Sequence, residues 1–339
     1  MSTTVSGGDA ALRARLRRIF TAGPGEQGRP LPLRTKVNYA LWLTRPEIAP
    51  MSGAVMVADV LFSAHTGAEI WSVPMIVAAV MLAAAIQLLH VANCLADRWV
   101  DVEYKSKFSR MVRDLGVRFV AWQIYLTTAG IGVAAVYLAV ATGHLDLLLI
   151  IPVGTLLLLE YSLPPWHFKA AGFWQIPWTY LMTMVFPGVV VLRLYDRPIE
   201  IPALIAILGL GLTTTGVFVA NTAEDIPEDT EHGFRTSVVA LGLRVSLFES
   251  MTRVTVGAAL VAGSVVAMVG FTWTLLVYAV GVSVVIGYLG RTQLGTWGKP
   301  LDDAMPLVRS QAKLFVYMVA LVAWAAVVPA AAVFCQQSS

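Results

Sequence analysis

The chain is poor in charged residues and has almost no cysteine. Only 13% of its 339 residues are charged, against about 25% in ordinary soluble domains. The two cysteines, Cys94 and Cys335, lie far apart and indicate neither a disulfide framework nor a zinc site. No basic tract is interleaved with aromatic residues, so nothing favours binding to nucleic acid. The chain is instead 57% hydrophobic with a mean hydropathy of +0.71, which is typical of a polytopic helical membrane protein.

Nine apolar segments are long enough to cross a bilayer as helices. They lie at roughly 39–63, 72–96, 118–142, 145–163, 173–194, 201–222, 252–270, 272–290 and 312–334. The division of the stretch 252–290 into two spans depends on Gly270, because glycine commonly ends helices. We therefore expect an all-α membrane protein with about nine transmembrane helices.

The arginine-rich N-terminal segment lacks an apolar stretch of its own. We predict that residues 1–35 form a cytosolic tail, with a short interfacial helix at 10–20, and not a cleavable signal peptide. Residues 36–339 would then form a single transmembrane domain.

Basic residues are concentrated in the loops that belong to one side of the membrane. Apart from the tail, these loops are 97–117, 164–172, 223–250 and 291–311. The loops of the other side carry no Lys or Arg except Arg193 and Arg197. The positive-inside rule predicts that the basic side and the N-terminus are cytoplasmic. We expect the protein in a bacterial or archaeal cell membrane.

Two stretches share the pattern Asn-x-x-x-Asp-x-x-x-Asp, each at the end of a long apolar segment. They are Asn93, Asp97 and Asp101 in NCLADRWVD, and Asn221, Asp225 and Asp229 in NTAEDIPED. A spacing of four predicts that each set shares one helix face. Solvated loop charges would not explain the repeat. Four aspartates beside lipid require cations, and Mg²⁺ prefers oxygen ligands while leaving positions for substrate phosphates. The pattern thus predicts a membrane-embedded diphosphate site.

Several basic residues are candidates to hold the diphosphate. They are Lys105, Lys107, Lys169, Arg235 and Arg45. Each of the four loop residues alone is equally well explained as a topology signal, but Lys169 is favoured because Tyr161 and the rigid Pro164-Pro165 turn hold it in place. Arg45 is a candidate for another reason: it lies inside the first predicted span, beside Pro46, where an unpaired charge is costly. We expect Lys169 and Tyr161 to act with the aspartates in catalysis.

Two ionisable residues, Asp59 and His90, lie inside predicted spans away from the motifs. For both we prefer a structural role as partners in interhelical hydrogen bonds.

With these motifs, the chain resembles the UbiA superfamily of intramembrane prenyltransferases across nearly its whole length. The family motif N-D-x-x-D-x-x-x-D stands here as Asn93, Cys94, Asp97 and Asp101. The motif D-x-x-x-D-x-x-x-G-x-x-T stands as Asp225, Asp229, Gly233 and Thr236, and YSLPPWHFK resembles the Y-S-x-P-P-x-x-x-K element between them. The resemblance implies nine helices around a central cavity, a cytoplasmic cap, and ionisation of an isoprenyl diphosphate that depends on two or more Mg²⁺ ions. The motif residues would be its metal ligands, and both asparagines would also contact the diphosphate.

Three functions compete. Prenyl transfer to an aromatic, quinone-precursor or lipid acceptor leads, because it is the commonest activity of the family. A UbiA-type terpene cyclase would use the same ionisation, and the lack of an Arg-Pro segment after Asp101 favours it. A transporter or scaffold is disfavoured, since the carboxylates lie at helix ends and not at the bilayer midplane. Cys94 replaces the second acid of the family motif and removes one ligand.

Overall fold

The computed structural model describes residues 5–100 and 106–338, and every regular element in these ranges is helical. In chain order the helices are α1 (Val5–Phe20), α2 (Leu33–Leu43), α3 (Ala49–Ser63), α4 (Gly67–Ile70), α5 (Val73–Ala96), α6 (Ser106–Leu115), α7 (Val117–Thr142), α8 (Leu147–Leu159), α9 (Gly172–Leu192), α10 (Ile201–Ala223), α11 (Ile226–Glu231), α12 (Ser237–Leu241), α13 (Leu243–Val269), α14 (Thr274–Thr296), α15 (Leu301–Ala312) and α16 (Phe315–Gln337). The predicted all-α class is confirmed.

Seven of these helices are long and apolar enough to cross a membrane, so the chain is an integral membrane protein. They are α5, α7, α9, α10, α13, α14 and α16. The two other predicted spans correspond to α3 and α8, with 15 and 13 residues. At 1.5 Å per residue, each covers only about 20 Å of a hydrocarbon core of roughly 30 Å. The count of nine spans stays a prediction.

The first predicted span, 39–63, is not one helix. Helix α2 ends at Leu43 and α3 begins at Ala49, with Arg45 between them in the left-handed region at φ 55°. Pro46 explains the break, because proline disfavours the helical conformation in the residue before it. Arg45 therefore lies at a break between two helices and not within one continuous helix. The predicted division of the stretch 252–290 at Gly270 is confirmed, because α13 ends at Val269 and Gly270 adopts φ 78°.

Glycines bring the backbones of α10 and α13 into direct contact. A Cβ atom on Gly257 would lie 2.4 Å from the carbonyl oxygen of Gly209, and one on Gly216 would lie 2.7 Å from a methyl group of Val254. Small residues at such crossings allow close helix packing in membranes. The contacts pair residue 257 with 209 and residue 254 with 216, and so set an antiparallel register.

The N-terminal segment packs onto the bundle through Arg98. This arginine, only 1% exposed, donates from Nε to Glu26 Oε1 at 2.9 Å and from Nη1 to the carbonyls of Ile19 and Leu95. Burial would raise the pKa of Glu26, but hydrogen bonds from Arg98 and from the Gly23 N–H outweigh it and hold this pKa below 4.5. Arg98 therefore has a structural role beyond the topology signal.

The two core clusters of the bundle border a common cavity. One cluster is formed mainly by α3, α10, α13, α14 and α16, and the other mainly by α5, α7, α8 and α9. Side chains from both groups of helices line the cavity. We call the end where α5 and α10 finish the motif end, and the opposite end the far end.

Candidate functional site

The cavity is large, has polar walls at the motif end and becomes apolar toward the far end. Its empty space, including the open mouth, is about 1680 Å³. Asn93, Lys169 and Asp225 line it near the motif end, whereas Leu82 and Val191 line it near the far end. From Asn93 to Leu82 the wall runs eleven residues along α5, or about 16 Å. An elongated apolar chain with a polar head matches this shape.

The first motif straddles the end of α5. Asp97 caps the helix and is 3% exposed. The Asn93 side-chain amide donates to Asp97 Oδ2 at 2.9 Å and to Ser162 Oγ at 2.9 Å. The prediction that this set shares one continuous helix face is wrong, because α5 ends at Ala96. Asp101 and Lys105 lie outside the described residues.

The second motif straddles a break between α10 and α11. Asn221, Asp225 and Asp229 all line the cavity, but α10 ends at Ala223 and α11 begins only at Ile226. The prediction that these three residues share the face of one continuous helix is therefore also wrong. Gly233 follows α11 at φ 71°, and the Phe234 N–H bonds the Asp229 carbonyl at 2.7 Å. Glycine adopts this conformation without strain, so the turn brings the Phe234 ring back toward the cavity.

Lys169 lies between the two motifs. Its ammonium donates to Asp97 Oδ2 and lies 5.4 Å from the centre of the Phe234 ring. Burial disfavours the charged form, but the Asp97 carboxylate, Tyr161 and Asp229 outweigh it and raise the pKa of Lys169 above its ordinary value. The lysine is therefore a fixed positive charge at neutral pH.

Tyr161 is held by stacking and by a hydrogen bond. Its ring lies 5.0 Å from that of Trp178, and the Gln175 side-chain amide donates to its hydroxyl at 3.2 Å. The other end of Gln175 accepts from the Ser237 N–H at 2.8 Å. Gln175 thus links the YSLPPWHFK segment to the second motif. Gln175 was not identified from the sequence, because it lies outside every motif, and Ser162 appeared only as part of YSLPPWHFK, without a role of its own.

The other predicted phosphate ligands are placed differently from one another. Arg45 lines the cavity, with Nε 3.0 Å from Glu47 Oε1. Lys107 is exposed on α6, where its ammonium lies 3.7 Å from the Trp42 ring centre. The backbone carbonyl of Arg235 accepts a hydrogen bond from the Gly172 N–H. The Arg235 side chain does not line the cavity. The structure brings Arg45, but neither of the other two, to the cavity wall.

Asp59 departs from the structural role expected of it. Its side chain is 1% exposed and lines the apolar part of the cavity, together with Leu82 and Val191. Neither carboxyl oxygen has a hydrogen-bond partner among the described residues. The expected interhelical hydrogen bond is therefore wrong for Asp59. His90 also lines the cavity.

An ion pair on α13 was not identified from the sequence. Glu249 and Arg253 line the cavity, and Arg253 Nη2 donates to Glu249 Oε2 at 2.8 Å. The spacing of four was a usable signal. The pair was missed because the predicted span begins at residue 252, which assigns Glu249 to a loop, whereas α13 begins at Leu243.

The oxygen ligands of the two motifs suit Mg²⁺. Within residues 5–100 and 106–338, no three acidic, histidine or cysteine side chains converge to form a metal centre by themselves. Mg²⁺, however, is usually bound through one or two carboxylates and completed by water and substrate phosphates. Asn93 of the first motif and Asn221, Asp225 and Asp229 of the second line the shared cavity, and this set of amide and carboxylate oxygens fits that mode of binding.

Fold and site together define a polytopic helical membrane protein with an internal cavity that carries carboxylate and amide oxygens at the motif end. The model of the UbiA prenyltransferase family matches residues 51–319, and the chain belongs to this family.

Solved structures of the family share the fold. A UbiA homologue from Archaeoglobus fulgidus, bound to DMAPP and Mg²⁺, has a TM-score of 0.59 at 17% identity and covers 84% of this chain and 98% of its own. A digeranylgeranylglyceryl phosphate synthase has a TM-score of 0.60 at 15% identity, with 88% and 99% covered. A homologue from Aeropyrum pernix K1 has a TM-score of 0.52 at 19% identity, with 80% and 97% covered. A search of curated proteins gave no match.

Proposed function

We propose that the protein is a Mg²⁺-dependent intramembrane prenyltransferase that ionises an allylic isoprenyl diphosphate and transfers the prenyl group to an acceptor. The observation that carries this proposal is Lys169, a partly buried ammonium that donates to Asp97 of the first motif and lines the cavity together with Asp225 and Asp229 of the second. Family membership supports it, as do the DMAPP and geranyl diphosphate bound with Mg²⁺ by the Archaeoglobus fulgidus homologue. The acceptor would be aromatic, a quinone precursor or a lipid.

We assign the roles of the residues from the two motifs and from the YSLPPWHFK segment. The metal ligands would be Asn93, Asp97, Asp101, Asn221, Asp225 and Asp229. Bound Mg²⁺ supplies neutralisation of the diphosphate as a leaving group. Lys169 donates hydrogen bonds to the diphosphate and meets more negative charge as the C–O bond breaks. The apolar wall from Met51 to Val191 holds the prenyl chain and excludes water.

Asp59 supports a second candidate, a terpene cyclase. Here a double bond of the same chain would attack C1 after ionisation, and a proton must then leave the resulting carbocation. An unpartnered carboxyl among apolar side chains in the deep part of the cavity is a group to which this proton can pass. No such group is needed in that part of the cavity if the reaction ends at an acceptor near C1.

The test is to incubate purified protein with geranyl diphosphate and Mg²⁺ and to measure diphosphate release and organic products. Release that EDTA abolishes and Mg²⁺ restores is expected. A cyclic product formed without acceptor would assign the cyclase, whereas turnover only after addition of a membrane lipid extract would assign the transferase. Full turnover in metal-free protein, or no turnover with any of geranyl, farnesyl and geranylgeranyl diphosphate, would contradict the proposal.

Two aspartate variants test the site itself. Asp97→Ala and Asp225→Ala should each lower diphosphate release by ~100-fold or more, since each removes a metal ligand. Asp146→Ala is the matched control, because Asp146 lies at the far end of the bundle and pairs with Arg193 there. Near-wild-type rates in both motif variants would remove the motifs from the mechanism.

A further inference from the structure

The wall formed by α13 carries a polar group that the proposed ionisation does not use. Ser246, Glu249 and Arg253 all line the cavity, and their spacing of three and four places them on one face of the helix. Ser246 is 2% exposed, and its hydroxyl oxygen has no hydrogen-bond partner among the described residues. An ion pair within a membrane helix is costly, and such residues usually face a functional cavity.

The ion pair leaves hydrogen-bond acceptor capacity on Glu249, because each of its carboxylate oxygens contacts Arg253 and keeps a further lone pair. The arginine is occupied by protein groups: Nη1 donates to the Thr215 carbonyl at 3.1 Å and Nη2 donates to Glu249 Oε2 at 2.8 Å. The charges of the pair cancel, so a second anion gains little from binding there. A neutral O–H group, by contrast, can donate to the Glu249 carboxylate and accept from the Ser246 hydroxyl.

The register of α13 against α10 places this group beside the diphosphate end of the cavity. Arg253 contacts Thr215, and Gly257 packs against Gly209 and Thr213. Continuing this antiparallel register brings Glu249 level with Val219 and Ser246 level with Thr222. Val219 is two residues from Asn221 and Thr222 is three residues from Asp225, so each lies within about one helical turn, or ~5 Å, of a motif residue. The first carbon of a prenyl chain must lie at this depth when its diphosphate is held by the second motif.

We propose that Ser246 and Glu249, with Arg253 as the positioning residue, form the subsite that binds the hydroxyl group of a neutral phenol or alcohol acceptor next to C1 of the prenyl chain. The proposal rests on the proposed transferase function. A purely structural role explains less, because the glycine contacts already hold α10 against α13 and the pair faces the cavity.

The test compares two probes that differ only in the O–H group, 2-naphthol and 2-methoxynaphthalene. Protein in lipid nanodiscs is first saturated with Mg²⁺ and geranyl S-thiolodiphosphate, an analogue that ionises poorly, and each probe is then titrated by calorimetry. We expect 2-naphthol to bind at least ~10-fold more tightly than the ether, as for a hydrogen bond to a charged group. Glu249→Gln and Ser246→Ala should each remove most of that difference.

Ser250→Ala is the matched control, since Ser250 is buried on the same helix but does not line the cavity. Equal affinities for the two probes, no saturable binding of 2-naphthol, or equal binding in wild type and Glu249→Gln would each overturn the subsite. Binding of the thiolodiphosphate itself should be unchanged in all variants. Loss of Mg²⁺-dependent analogue binding in the wild type would instead count against the proposed function, so the two failures are distinguishable.

Discussion

At the scale of single residues, the site is organised around charges that are held before any substrate arrives. Asp97 receives hydrogen bonds from Asn93 and Lys169, and Asn93 is in turn held by Ser162. Lys169 reaches Asp97 from a segment more than seventy positions away in sequence. Such preorganisation is what stabilises charge in a transition state, because the donors need not reorient during the reaction.

Replacement of Lys169 should therefore slow the chemical step. Lys169→Ala is expected to lower the single-turnover rate of diphosphate release by ~100-fold, the usual cost of one preorganised donor. Lys169→Arg should recover part of the rate, because a planar guanidinium does not reproduce a compact ammonium. Lys107→Ala is the control, since Lys107 contacts Trp42 away from the cavity. Equal rates for Lys169→Ala and wild type would reduce Lys169 to a topology signal.

At the scale of helices, the contact between α10 and α13 determines where both motif and subsite residues lie. Gly257→Ala should destabilise the bundle by about 1–3 kcal/mol, as overpacking does, because its Cβ would lie 2.5 Å from Thr213 Oγ1 as well as against Gly209. Gly263→Ala on the same helix has nothing within 4 Å and should be neutral or slightly stabilising. Thermal unfolding in detergent measures both, and equal midpoints would contradict the close contact.

The contact between the N-terminal segment and the bundle should depend on pH through Glu26. Because the pKa of Glu26 is lowered in the folded protein, its contribution to stability is complete above about pH 4.5 and is lost as the pH falls through the folded-state value. Glu26→Gln should be less stable than wild type at pH 7, and the difference should shrink toward pH 4. The measurement is hydrogen–deuterium exchange of residues 10–34, compared between variant and wild type at each pH. Asp114→Asn should behave like wild type, since its partner Arg29 is largely exposed.

Helix type and most helix positions could be predicted from the sequence, because long apolar runs have few alternatives in a membrane. Helix ends were harder. The break at Arg45, the end of α5 at Ala96 and the start of α13 at Leu243 depend on local caps and on packing between distant segments. The candidate site followed the same division: motif residues such as Asp225 were predicted from their spacing, whereas Gln175 and Glu249 gained their positions only through folding.

At the scale of the whole molecule, the charges at the two ends of the bundle bear on its orientation. Arg193 and Arg197 interrupt the basic asymmetry, but they lie in ion pairs with Asp146 and Glu69 at the far end. These two arginines are a small minority beside the Lys and Arg residues of the loops at the motif end. This difference in the number of basic residues is the basis of the proposal that the motif end faces the cytoplasm.

The two cysteines allow this orientation to be tested without altering the site. Helix α16 begins with Phe315 at the cavity and runs about 30 Å to Cys335, which is exposed, whereas Cys94 is buried. A membrane-impermeant maleimide added to spheroplasts of an expressing bacterium should label Cys335, and the Cys335→Ser variant should take up no label. Labelling that requires permeabilised membranes would place the far end in the cytoplasm. The carboxylate cavity would then open outward, away from the cytoplasmic pool of diphosphate substrates that the proposed reaction requires.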